Sequence, residues 1–359
     1  MRSTRIALWA MVAGSGGGCA GAAPPSPETP VAAATGSAAE GSPAAGVDGA
    51  SAATGEASAT GGPCGAGAPY PRPAAQGDPQ LVYQGTGKGL FEGPVWVAAT
   101  GGLYFSEMTF SANPPPSVIH MFSPADGSTS PFVQDSGTNG LALRGDGKIL
   151  GATHEPQGLA LFDPSTAERQ PVAITYQGQH FNSPNDLTVR ADGNVYFTDP
   201  DWQLGERKSE TGKTGVYRLL PDGVTVALVD DTLDKPNGIA LSPDGNTLYV
   251  ADFNGGGNQG RVGAYPVAGD GSTGARSEFA PWVAVPDGMT VDCAGNLYTT
   301  SHECGVIGIY SPAGTQLGTI KVTTSLTNLA FGGVDGKTLY ATAGKALYAI
   351  PMNLPGYPY

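Results

Sequence analysis

Charge is scarce in this chain. Only 14% of its 359 residues are charged, and 18 basic residues face 31 acidic ones, for a net charge of −13. A shortage of Lys and Arg argues against nucleic acid or an anionic membrane surface as a partner. Cysteine is also sparse: the four residues form no C-x-x-C pair, and no H-x-x-x-H spacing occurs. These gaps argue against a structural zinc site or a soft-metal centre. Long apolar runs are missing as well. The longest near the N-terminus, Ile6 to Ala13, is too short to span a bilayer. Aromatic side chains almost vanish between Ala20 and Gln76, where Tyr70 stands alone.

What is abundant is punctuation. Glycine (55) and proline (31) interrupt every candidate helix, so strands and turns should dominate. The Ala/Gly/Pro/Ser-rich stretch 20–78 cannot bury enough apolar surface to offset chain entropy and reads as a disordered linker. Before it, Arg2 and Arg5, the short apolar stretch and small residues lead to Cys19. Residues 1–19 therefore read as an export signal of lipoprotein type with Cys19 as the lipidated residue. Gly16 stands where such signals usually carry an aliphatic side chain, and simple cleavage is the alternative. The expected location is the bacterial cell envelope, periplasmic or outer-membrane-anchored, or otherwise secreted. A membrane is then met only through that lipid. An exported protein keeps disulfides. Cys293 and Cys304 flank "AGNLYTTSHE", which reads as a hairpin that would set them face to face, leaving Cys64 unpaired.

From residue 79 onward one pattern recurs six times. It comprises a polar residue, a short apolar strand, a Gly-containing turn and a second strand. The copies begin "EGPVW", "NGLAL", "NDLTV", "NGIAL", "DGMTV" and "NLAF", at Glu92, Asn139, Asn185, Asn237, Asp287 and Asn328. An all-strand repeat of roughly 40–50 residues is the signature of a β-propeller blade. Residues 79–359 are thus expected to form an all-β, six-bladed propeller of four-stranded blades. The gaps supply outer pairs such as "GVYRLL" with "TVALVD".

That geometry places the six leading residues at one mouth of the central channel. The second strands return there with Glu107, His154, Asp199, Asp252 and His302. Clustered carboxylates repel unless protons or a cation intervene. Carboxylate and amide oxygens suit Ca²⁺, with Zn²⁺, Mn²⁺ or Mg²⁺ as alternatives. Asn or Asp before a strand is often only a turn former, but Glu92 is not one, and it occupies the same register.

At these residues the sequence resembles the gluconolactonase/regucalcin family, also called the senescence marker protein family. The resemblance spans about residues 79 to 359 and rests on "EGPVW", "NSPNDL", "GNVYFTDP", "KPNGIALSPD", "PDGMTVD" and "TNLAFGG". It implies a lactonase, a metal-dependent carboxylic-ester hydrolase with one divalent ion as Lewis acid in the channel. The metal set carried over is Glu92, Asn185, Asn237 and Asp287. Asp287 takes the catalytic role, as proton acceptor or alternatively as nucleophile. Asn139, His154, Asn185 and Asp199 are read as substrate-facing. Two arginine positions of that family are not arginine here. His154 is followed by "EPQGLAL", and Ser183 stands two residues before Asn185. The expected partner is a small lactone or ester, and the expected state a monomer. Rival readings are an esterase or phosphotriesterase on the same ring, and a calcium-binding scaffold or sugar sensor.

Overall fold

The repeated local pattern builds a repeated sheet. In the computed structural model the described residues are Cys64, 69–253 and 260–358, and they contain strands and turns but no helix. Six antiparallel four-stranded sheets form, each in the order first, second, third, outer strand. The first strands are Gly89–Val97, Thr138–Leu143, Leu187–Val189, Pro236–Leu241, Pro286–Val291 and Leu326–Gly332. Each lies against the first strand of the next blade, and the sixth lies against the first, so the ring is closed around an axis. The expected six-bladed propeller is therefore present.

In four of the six blades an Asp-Gly turn joins the first to the second strand and explains the register. In the third blade Asp192 Oδ1 accepts the Asn194 N–H at 3.0 Å, and Gly193 takes a φ of +90° that a side chain would strain. The same aspartate bond recurs at Asp146, Asp244 and Asp335.

Apolar residues alternate along these strands and are buried between blades rather than in one central core. Six clusters result, one for each pair of neighbours. One joins Leu150, Leu159 and Leu161 of blade 2 to Phe181, Phe197 and Tyr217 of blade 3. Another closes the ring by packing Phe91 and Phe105 of blade 1 on Tyr340 and Leu347 of blade 6. Trp96 belongs there too, stacked on Tyr340 at 6.1 Å. Because the driving force for burial is spent between blades, the axis is left to polar side chains.

The sixth sheet is completed by Gln80–Gln84, which pairs with Ala346–Pro351, so both ends of the fold share one blade. Two sequence expectations need correction. First, the fold starts before residue 79. Ala75 bridges Met352, and Gln76 N–H donates to the Pro351 carbonyl at 2.7 Å. Residues 72–78 are thus not linker, and residues 20–63 and 65–68 of the 20–78 assignment lie outside the described residues. Second, Cys293 does not pair with Cys304. "AGNLYTTSHE" is not a hairpin; it contains one extended strand, Leu297–Ser301. At about 3.3 Å per residue, a strand of that length holds its flanking cysteines well beyond the ~7 Å Cα limit for a disulfide. Cys293 is bonded to Cys64 instead, the residue expected to be unpaired. Cys304 is also disulfide-bonded. The export signal and Cys19 lie outside the described residues as well.

Candidate active site in the propeller channel

A kink in five of the six first strands aims the polar residue at the axis. The pairing register slips between Glu92 and Val95, Thr138 and Leu141, Pro236 and Ile239, Pro286 and Met289, and Leu326 and Leu329. Each slip brackets the leading residue of the repeat, and a bulge of this kind re-aims a side chain. The glycine after it is required by close approach. A Cβ on Gly238 would lie 2.2 Å from the Asp287 carbonyl oxygen, and one on Gly288 would lie 2.0 Å from the Asn328 side chain. Buried hydroxyls tie the blades together at this level. Ser106 donates to the Asn139 carbonyl at 2.7 Å, and Thr198 to the Asn237 carbonyl at 2.7 Å. Thr327 donates to the Phe91 carbonyl at 2.6 Å, which links blade 6 to blade 1.

Three carboxyl groups meet inside this ring. Burial holds Glu92 well above the usual carboxylate range, reinforced by the negative charges of Asp287 and Asp186. Burial likewise pushes Asp186 up to about 7, with Asp287 adding to the effect. Asp287 is raised by burial too, while His302, Asn237 and the Gly288 N–H work against it. His302 Nδ1 lies 3.5 Å from Asp287 Oδ2. Asn328 Nδ2 donates to Asp186 Oδ2 at 3.2 Å, so blade 6 touches blade 3 across the axis.

The structure thus brings together Glu92, Asp287 and Asn237 of the expected metal set. Asn185 is buried beside Asp186, its N–H donating to the Thr198 carbonyl at 2.9 Å. Asp186 is the acid that sequence reasoning missed. A signal existed: it is the one acidic residue at the position that four other repeats give to glycine. His302, which reads from sequence as an ordinary strand-end histidine, stands closer to an acid than expected.

The remaining substrate-facing residues are differently placed. Asn139 is buried on the first strand of blade 2, its Oδ1 without a partner. Asp199 is buried and engaged with backbone, accepting the N–H groups of Asn182 at 2.9 Å and Ser183 at 2.8 Å. Burial nevertheless pushes it up to about 7. His154 is fully buried, with Nε2 donating to the Pro115 carbonyl at 2.7 Å. Burial lowers its pKa to about 4.

That shift predicts a pH effect. Between pH 6.5 and 4 the unfolded chain protonates His154 while the native state refuses the proton. Native stability attributable to this residue therefore falls as pH falls, by about 3 kcal/mol across the window. Urea unfolding of wild type and His154→Asn at pH 7 and pH 4 should show the stability difference between them narrowing by that amount. A constant difference would contradict it.

Whether a divalent cation fits can be asked of the donors themselves. Among the described residues no three His, Cys, Asp or Glu side chains are set to hold an ion unaided. A donor set here has to include asparagine oxygens. Two such oxygens, Asn139 Oδ1 and Asn237 Oδ1, are buried without a hydrogen-bond partner, and a buried acceptor left unpaired is costly. Carboxylates that raise one another's pKa, with orphaned carbonyl oxygens beside them, are what a hard cation would relieve.

A six-bladed propeller with acids and amides converging at one end of its axis defines the class: a channel-site β-propeller. The comparisons narrow it. Residues 90–345 match the model of the SMP-30/Gluconolactonase/LRE-like region, and the chain belongs to that family. A gluconolactonase of Zymomonas mobilis is 34% identical over 281 residues, covering 70% of this chain and 75% of its own. A pentonolactonase of Haloferax volcanii is 29% identical over 260 residues, covering 70% and 81%. The solved gluconolactonase of Xanthomonas campestris superposes with a TM-score of 0.68 at 29% identity, covering 79% of this chain and 92% of that one.

Proposed function

We propose that this protein opens lactone rings by metal-assisted hydrolysis at the channel mouth. The observation that carries this reading is the meeting of Glu92, Asp287 and Asp186 with the unpartnered oxygens of Asn139 and Asn237. The names of the relatives supply the substrate class. Glu92, Asn185, Asn237 and Asp287 would hold the ion, with Ca²⁺ favoured by the all-oxygen donor set. A divalent cation held there would supply Lewis-acid polarisation of the lactone carbonyl.

The chain's own residues do the rest. Asp287 Oδ2 accepts the proton of the attacking water, in the position of a general base. His302 borders that oxygen and limits where the water can stand. Asp186 and Asn328 bond to each other across the axis. Burial of all three acids keeps the dielectric low, which magnifies each charge interaction.

The compartment is part of the same proposal. A disulfide between Cys64 and Cys293 accords with an exported protein, since cytosolic thiols are kept reduced.

A hydrolysis screen over lactones, aryl esters and phosphotriesters, with and without EDTA, tests this reading. Lactone opening that EDTA abolishes and Ca²⁺ restores is the expected result. Phosphotriester or ester turnover with no lactone opening would transfer the site to the rival hydrolases. Lactone opening indifferent to EDTA would remove the metal from the proposal.

A further inference from the structure

The mouth of the channel carries a second set of unsatisfied polar atoms, on the side of blades 2 and 3. The loop that leaves the second strand of blade 3, Val195–Asp199, folds back over Ser183. The Ser183 hydroxyl donates to the Pro200 carbonyl at 2.6 Å and accepts the Gln203 N–H at 3.2 Å. This pins the loop, and the loop delivers Arg207. Its guanidinium is held by three carbonyls: Leu204 at 3.0 Å, Gln203 at 2.9 Å and His154 at 3.3 Å. Arg207 thereby ties the blade 3 loop to the end of the second strand of blade 2.

Three atoms at this junction are buried without partners: Arg207 Nη1, Gln203 Oε1 and His154 Nδ1. Gln203 and His154 are themselves more than nine-tenths buried. A clamped arginine with a spare donor is a preorganised site, because the entropy of fixing the side chain is already lost. His154 fits the same picture. A carbonyl can only accept, so Nε2 carries the hydrogen and Nδ1 presents a lone pair. The position is at the mouth by pseudo-symmetry. His302 occupies the equivalent place in blade 5, its N–H bonded to the Val285 carbonyl as that of His154 is to Gly137, and it reaches Asp287.

We infer that Arg207, Gln203 and His154 form a recognition site for neighbouring hydroxyls of a neutral, polyhydroxylated lactone. Each hydroxyl can accept from Arg207 Nη1 and donate to Gln203 Oε1 or His154 Nδ1. An anionic substituent fits worse. Two of the three groups offer lone pairs, and Glu155, Asp199 and Glu210 already face the arginine. The arginine positions absent from the sequence at Ser183 and after His154 are thus answered by an arginine from another segment. This inference rests on reading the channel as a lactone-opening site.

The test compares D-glucono-1,5-lactone with unsubstituted δ-valerolactone on the full chain. In Arg207→Met the ratio of kcat/KM between the two should fall about tenfold, mainly through KM for the hydroxylated substrate. A fall below about threefold overturns the inference. Gln203→Leu should move the ratio the same way, and it serves where Arg207→Met does not fold. If wild type opens neither lactone, the proposed function fails, and binding of 1,5-anhydro-D-glucitol decides the inference by itself. That cyclic polyol carries the hydroxyls without the ester. Calorimetric binding to wild type that is lost in Arg207→Met supports the site, and absence of binding to wild type overturns it.

Discussion

Asp287→Asn is expected to lower lactone opening by about 10²–10³-fold or more while the propeller still folds. Asparagine keeps the shape of the side chain and one carbonyl oxygen, so the bulge between Pro286 and Met289 and the contact of Gly238 with the 287 backbone are undisturbed. What is lost is the negative charge and the proton-accepting oxygen beside His302. The same change removes a repulsive term from the channel. Glu92 is held high by burial, then by the charge of Asp287, so the divalent-free variant should unfold at the same temperature as wild type or somewhat higher. Lower activity with equal or greater stability is the pattern of a residue kept for function. A pH-stat assay at saturating Ca²⁺ and a thermal melt in EDTA check both halves. Retention of more than a tenth of wild-type turnover would remove Asp287 from the mechanism.

Legibility from sequence followed the range of the forces involved. The six blades could be read because each repeats a local pattern. An Asp-Gly turn, an alternating strand and a leading polar residue are all set by neighbours in the chain. The convergence of Glu92, Asn237 and Asp287 followed from that repeat alone. Features that depend on distant residues could not be read in this way. The pairing of Gln80–Gln84 with Ala346–Pro351 joins the two ends of the fold and has no local signature. Asp186 was not singled out, since nothing in the sequence shows Asn328 reaching it across the axis. Arg207 is a further case. It sits in a loop without strand pattern, and only the folded chain shows its guanidinium against the carbonyl of His154. The cysteines failed for the opposite reason. A local pairing was the economical choice, and the actual bond crosses 229 residues.

That bond carries the largest expected effect on stability. The Cys64–Cys293 link closes a loop that contains the strand completing blade 6, blades 1 to 4 and the first strand of blade 5. A propeller ring opens most readily where its two chain ends meet, here along the pairing of Gln80–Gln84 with Ala346–Pro351, because no covalent connection crosses that seam. Cys293 lies in blade 5, and its N–H donates to the Pro355 carbonyl at 3.0 Å. Cys64 therefore fastens the chain upstream of the closing strand to a part of the ring that does not depend on the seam. For a loop of this length the loss of unfolded-chain entropy corresponds to about 5 kcal/mol in the chain-entropy model, and to 2–5 kcal/mol in practice. The Cys64→Ser/Cys293→Ser double variant should melt about 10 °C lower. Its first protections to fail in hydrogen exchange should be those of residues 75–84 and 346–352, ahead of the inner strands. Lactone opening at low temperature should persist, because Glu92, Asn237 and Asp287 lie on strands that the bond does not touch. An unchanged melting temperature, or exchange that begins at the inner strands, would show that the ring is not held at this seam.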